Sequence, residues 1–89
     1  MYSVYVLYSL KDDKLYIGFS SKLVSRINDH LNGFSKSTRH RRPLVLIFCE
    51  YYLSKKDAMR REKYFKTTDG KRTLRLMLKE SLKEVRYKK

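Results

Sequence analysis

The sequence has no means of building a cross-linked or metal-clustered framework. Its one cysteine, Cys49, excludes an intrachain disulfide and a multi-cysteine zinc site. It sits in an apolar stretch, where a thiol packs as a small hydrophobe, and this sparing usage suits a reducing compartment. One proline and three glycines leave no linkers, low-complexity tracts or glycine-rich phosphate loop. No segment approaches the ~18 apolar residues of a membrane span. The N-terminus does not show the basic-then-apolar order of an export signal, so a soluble, cytoplasmic protein is expected. Acidic residues are scarce: nine Asp and Glu stand against 22 Lys and Arg, for a formal net charge of +13.

What is present is enough for one fold. Eighty-nine residues with 42% hydrophobic content, including eight Tyr and four Phe, support a single small core. That content is too high for a disordered basic tail. A domain over residues 1–85 with a basic tail over 86–89 is expected. A surplus of thirteen positive charges opposes compaction by self-repulsion, and a polyanion relieves it. Nucleic acid is the first partner this suggests, ahead of an anionic membrane surface or a merely solubilising face.

Residues 2–10 alternate, with Tyr2, Val4, Val6, Tyr8 and Leu10 on one face and Ser3, Tyr5, Leu7 and Ser9 on the other, which predicts a strand. The polar stretch Lys11 to Lys14 reads as a turn, and Leu15 to Phe19 as the second arm of a hairpin. Leu23, Val24, Ile27 and Leu31 predict a helix over 21–32, started by Ser20 or Ser21 and ended at Gly33. Residues 33–43 form a basic loop. Leu44 to Tyr52 is a near-continuous apolar run of strand length and is expected at the centre of the sheet. Ser54 to Asp57 has a capping-box pattern that opens a helix to about Lys66. Thr67 to Gly70 breaks it, and Leu74, Met77, Leu78, Leu82 and Val85 mark one final helix. The order is ββαβαα, an α/β chain of the α+β kind.

Several side chains in this scheme could carry chemistry. A two- or four-residue turn pairs residues whose numbers sum to 25, so Ser9 faces Tyr16, and Tyr5 shares a face with Tyr16. The two tyrosines are either half-buried sheet aromatics or part of a site. Gly18 ends the second strand where a backbone or ligand can come close. Arg26 and His30, four apart, stack on one side of their helix. An arginine fork is shaped for phosphate, although a solvated helix face is the plainer account. Glu62 lies along the inward seam of its helix among Arg60, Arg61 and Lys63, and a carboxylate there needs a partner. Lys66, four residues on, is one answer; a divalent metal shared with water and phosphate oxygens is the other. The loop residues Lys36, Arg39, Arg41 and Arg42 are candidates for gripping backbone phosphates.

Taken in order, VYVLYS, LYIGFS, an R-x-x-x-H helix and RREK in a later helix resemble the GIY-YIG endonuclease superfamily, in its small stand-alone bacterial type. The resemblance runs from about Tyr2 to Lys66. It implies a three-stranded antiparallel sheet flanked by helices and a phosphodiester hydrolase dependent on Mg²⁺ or Mn²⁺. By position, Tyr5 is the tyrosine of the first motif, and Tyr16, Ile17 and Gly18 reproduce the second. Arg26 falls on the catalytic arginine, His30 on the histidine one turn later, and Glu62 on the metal-binding glutamate. In that scheme Glu62 holds one ion, Arg26 stabilises the phosphate, and Tyr5, Tyr16 or His30 assists water activation. Ser3 stands where the family name has glycine, and the asparagine that some members carry after the glutamate has no match.

The resemblance therefore implies an endonuclease acting on nucleic acid, DNA ahead of RNA, with target choice left to this domain or to a protein partner. Two other readings compete: a nucleic-acid-binding protein with little or no cleavage activity, and a small basic subunit of a larger assembly.

Overall fold

The structure is a computed structural model that describes residues 1–87. Strands β1 (Tyr2–Ser9), β2 (Leu15–Ser20) and β3 (Leu44–Tyr52) form one antiparallel sheet in the order β2-β1-β3. Among the described residues there are four α-helices: α1 (Leu23–Leu31), α2 (Lys55–Phe65), α3 (Thr68–Met77) and α4 (Lys79–Tyr87). A short 3-10 turn, Arg39–Arg41, precedes β3. The antiparallel sheet flanked by helices is the architecture expected.

β1 is the central strand, which corrects the expectation that Leu44 to Tyr52 would be. Seven of its eight residues are buried because both faces are covered. On one face Val4, Val6 and Tyr8 join Ile17, Ala58 and Phe65 of α2 and Leu74 of α3 in the larger core. On the other, Tyr5 and Leu7 pack with Ile27 of α1 and Leu44. Burying tyrosine in a central strand is tolerable because each hydroxyl finds a partner: Tyr8 donates to Asp13, and Tyr5 bonds to His30. β3, despite its apolar sequence, lies at an edge and keeps Leu46 and Tyr51 exposed. An irregularity in its pairing with β1 falls between Val6 and Leu7, where Val6 faces Phe48 but Leu7 faces Leu46.

The hairpin register also differs from the expectation. Tyr5 faces Gly18 and Leu7 faces Tyr16, two residues from the pairing that a tight turn gives. The turn is centred one residue earlier, between Lys11 and Asp12: the Ser9 N–H donates to the Lys14 carbonyl, closing a four-residue loop over residues 10–13, and the Ser9 hydroxyl accepts from the N–H groups of Lys11 and Asp12. A shift of two leaves side-chain faces unchanged, so Tyr5 and Tyr16 still share a face.

Helix boundaries differ in instructive ways. α1 begins at Leu23, and its cap position, Lys22, makes no side-chain capping bond; Ser20 instead accepts from the Lys22 N–H. Gly33 follows at φ +82°, the left-handed conformation that ends a helix. Ser54 occupies the cap position of α2, but its hydroxyl makes no capping bond and Asp57 pairs with Arg60, so the capping box does not form. Thr67 does cap α3, accepting from the Gly70 N–H at 3.0 Å. The final helix is two, separated at Leu78, and α4 runs through Arg86 to Tyr87, into what the sequence suggested was a tail. The rest of that tail, residues 88–89, lies outside the described residues. No helix among the described residues is long and apolar enough to cross a membrane.

Candidate active site

The face of the sheet that packs against α1 carries the residues singled out from the sequence. Tyr5, on β1, lies with its ring directly across Gly18 of β2. A methyl group on Gly18 would come within 2.2 Å of the Tyr5 ring, so the space over this glycine is filled by Tyr5 itself. Tyr16 stands diagonal to Tyr5 on the same face. His30 comes up from α1 between them, its ring centroid 5.6 Å from that of Tyr5 and 5.1 Å from that of Tyr16.

Hydrogen bonds fix this trio. His30 Nε2 lies 2.9 Å from Tyr5 Oη, and His30 Nδ1 lies 2.7 Å from Thr38 Oγ1. His30 and Thr38 are fully buried and Tyr5 is 1% exposed. Burial, and then the neighbouring Arg26 charge, lowers the His30 pKa against a weaker opposing effect of Asp29, so the imidazole is held neutral. Burial, with the nearby Tyr16, pushes the Tyr5 phenol up to about 12 even though the Arg26 guanidinium bonds to it and pulls the other way. Tyr5 therefore keeps its proton at neutral pH.

Arg26 and Glu62 complete the group. Arg26 is half-buried on α1, beside the Tyr5 phenol and 3.5 Å through Nη2 from Ser35 Oγ. Glu62, on α2, is close enough for its charge to act on Tyr5. Its Oε2 lies 3.3 Å from Lys66 Nζ, so the ion pair four residues along is formed. The Glu62 side chain is 23% exposed and that of Lys66 56%. The structure thus brings Tyr5, Tyr16, Arg26, His30 and Glu62 into one neighbourhood from four separate elements.

The loop after α1 contributes residues that the sequence did not single out. Thr38 holds His30, Ser37 donates to Tyr16 Oη at 3.3 Å, and Ser35 bonds to both Ser37 and Arg26. Serines and threonines are ordinary loop residues, and nothing in their spacing marks them as supports. The loop cations do not form one patch. Lys36 is exposed between Ser35 and Ser37. Arg39 and Arg42 border a shallow cleft with Lys11 and His40. Arg41 turns the other way and pairs with Asp12 at 2.8 Å, which holds that carboxyl down at about 2.

Comparisons with known proteins define the class. The family model of the GIY-YIG catalytic domain matches residues 1–75. The chain belongs to the GIY-YIG family, a nuclease-type domain. Its relatives include a UPF0213 protein of Clostridium perfringens, 39% identical over 97% of this chain and 92% of that protein. UPF0213 protein YazA of Bacillus subtilis is 40% identical over 89% of this chain and 82% of its own length. The solution NMR structure of UPF0213 protein BH0048 from Bacillus halodurans is similar with a TM-score of 0.55 and 33% identity, over 86% of this chain and 85% of that one.

The family implies a divalent metal ion, and Glu62 fits that need in one specific way. Among the described residues no three His, Cys, Asp or Glu side chains gather as a metal cage. A partly exposed carboxylate paired with a more exposed lysine can instead exchange that partner for an ion that keeps most of its water. Mg²⁺ is commonly bound by one or two carboxylates plus substrate phosphate and water.

Proposed function

We propose that this protein is a metal-dependent endonuclease that hydrolyses phosphodiester bonds in nucleic acid, DNA in the first place. The observation that carries the reading is the convergence of Arg26, Tyr16 and Glu62 beside a sealed Tyr5–His30–Thr38 bond chain.

Hydrolysis adds a water oxygen to phosphorus, breaks one ester P–O bond, removes a proton from the water and returns one to the leaving oxygen. Tyr5 and His30 are shut off from solvent, so neither can touch the attacking water directly. Tyr16 is the half-exposed aromatic hydroxyl of the group, and it orients that water. Tyr5 and His30 act behind it: the neutral imidazole braces both rings, and its bond to Thr38 fixes its orientation. Arg26 offers a guanidinium to the phosphoryl oxygens, where preorganised charge counts most in the transition state. Glu62 would hold Mg²⁺ or Mn²⁺, which supplies Lewis-acid charge neutralisation at the phosphoryl group. Lys36, Arg39 and Arg42 contribute backbone contacts around this centre, and Gly18 serves by admitting the Tyr5 ring.

The Glu62–Lys66 pair gives the binding-only reading its one specific support, because a carboxylate already neutralised has less call for a cation. Cleavage of a labelled panel of duplex, single-stranded and branched DNA and of RNA separates the two. Products that require Mg²⁺ or Mn²⁺ support the nuclease; binding without products under every condition moves the protein to the binding class.

A further inference from the structure

A second basic cleft lies on the opposite side of β2 from the tyrosines. It has a volume of about 480 Å³ and is lined by Lys14, Leu15, Arg41, Lys71 and Arg75. Four of these five residues are cations and none is acidic. They arrive from three places: Lys14 from the hairpin turn, Arg41 from the 3-10 turn, and Lys71 and Arg75, four apart on one face of α3.

The cleft and the candidate active site are back to back across one strand. Leu15 packs against the larger, helix-covered core, whereas Tyr16, the next residue, packs with Tyr5 on the other face. Strand alternation requires that opposition. β2 is an edge strand, so no further strand separates the two sites along that edge. The loop joins them as well: Ser37 touches Tyr16 on one side, and Arg41 reaches the cleft on the other. Arg41 is anchored to Asp12, and Ser9 Oγ donates to the Arg41 carbonyl at 2.6 Å, so this wall of the cleft is held in place.

We infer that the cleft is a second phosphate-binding site, taking the backbone of the same nucleic acid at a point removed from the bond that is cut. The inference rests on the nuclease reading for the identity of that bond. Cations gathered on one wall repel each other until an anion joins them. A DNA duplex supplies such anions on each strand about every 3.4 Å of helix axis. Two basic sites on opposite sides of one edge strand call for two backbones, so the substrate class this favours is a duplex rather than a short single strand.

The test is a binding measurement in a metal chelator, so that no cutting is needed for the readout. Wild type and the double variant Lys71→Ala/Arg75→Ala are compared on a labelled duplex of roughly 20 base pairs, about two helical turns. A single strand of roughly six nucleotides, near the lower range of single-strand site sizes, serves as the short probe. Both side chains are exposed, so the variant keeps its fold. The expected result is an affinity for the duplex lower by on the order of tenfold, a salt slope smaller by about two, and unchanged binding of the short strand. Unchanged duplex affinity and slope overturn the inference. Equal losses on both probes also overturn it, because they point to diffuse charge rather than a separate site. Loss of binding to phosphatidylglycerol vesicles with duplex binding intact assigns the cleft to a membrane surface, and overturns it too. A wild type that binds duplex through the cleft but never cuts would defeat the nuclease reading alone.

Discussion

Tyr5 Oη and His30 Nε2 lie 2.9 Å apart, and neither side chain reaches solvent. This contact separates two jobs that the sequence pattern leaves merged. Both residues belong to the motif set, yet their burial makes them supports for the half-exposed Tyr16 rather than groups that meet the substrate water. Removing the Tyr5 hydroxyl and removing the Tyr16 hydroxyl should therefore have different consequences.

Tyr5→Phe leaves a buried His30 nitrogen without its partner and should lower stability by about 1–3 kcal/mol. Tyr16→Phe removes a hydroxyl that accepts a long bond from the exposed Ser37, so stability should change little while cleavage falls. Chemical denaturation of the two variants beside a cleavage assay checks the contrast. Equal destabilisation by both would remove the distinction.

His30 sets a pH dependence of stability. Its folded pKa lies below the ordinary histidine value because of burial and Arg26, so the unfolded chain binds the proton more readily. The stabilisation from the neutral ring is complete above about pH 6.5 and is lost as the pH falls through the lowered folded value. Thermal melts should show Tm declining below about pH 6.5 in wild type, with the decline reduced in His30→Gln. A parallel decline in both proteins would place the titration elsewhere.

Gly18→Ala tests the close packing of Tyr5. The added methyl meets a ring that is buried and bonded to His30, so the ring must move or the strands must part. Overpacking of this kind typically costs about 1–3 kcal/mol, and displacement of Tyr5 should also reduce cleavage. Denaturant midpoints and activity give the answer, and a fully stable, fully active variant would show that the ring has room.

Arg26 should not be replaceable by lysine. Its guanidinium spans the Tyr5 phenol and Ser35 while facing the site, which an ammonium cannot reproduce. Arg26→Ala and Arg26→Lys should each reduce the cleavage rate by roughly 10²–10³-fold. Single-turnover rates at saturating enzyme measure this, and near-complete rescue by lysine would reduce the role of Arg26 to bulk charge.

Much of this arrangement was legible because parity is robust. Tyr5 and Tyr16 share a face whether the hairpin sum is 25 or 23, so an error of two in register left the constellation intact. Arg26 and His30 were readable from helical spacing alone. Sheet order was not. An apolar run such as Leu44 to Tyr52 describes how greasy a strand is, but which strand is central depends on which is covered on both faces. β1 is covered by α2 and α3 on one side and by α1 on the other, through contacts distant in sequence. The break at Leu78 was hidden because α3 and α4 keep one apolar stripe across it. The roles of Ser35, Ser37 and Thr38 appear only once the loop folds over the tyrosines.

The central claim turns on Glu62, and its most direct test is Glu62→Gln, assayed for cleavage with Mg²⁺ or Mn²⁺ and for binding on one nucleic-acid substrate. Losing the carboxylate removes its ability to hold the ion, which is worth several kcal/mol at the transition state, so cleavage should fall by roughly 10³-fold or more. It also removes a negative charge facing the phosphates, so binding should be retained or slightly tighter. Cleavage by Glu62→Gln at the wild-type rate would contradict the account.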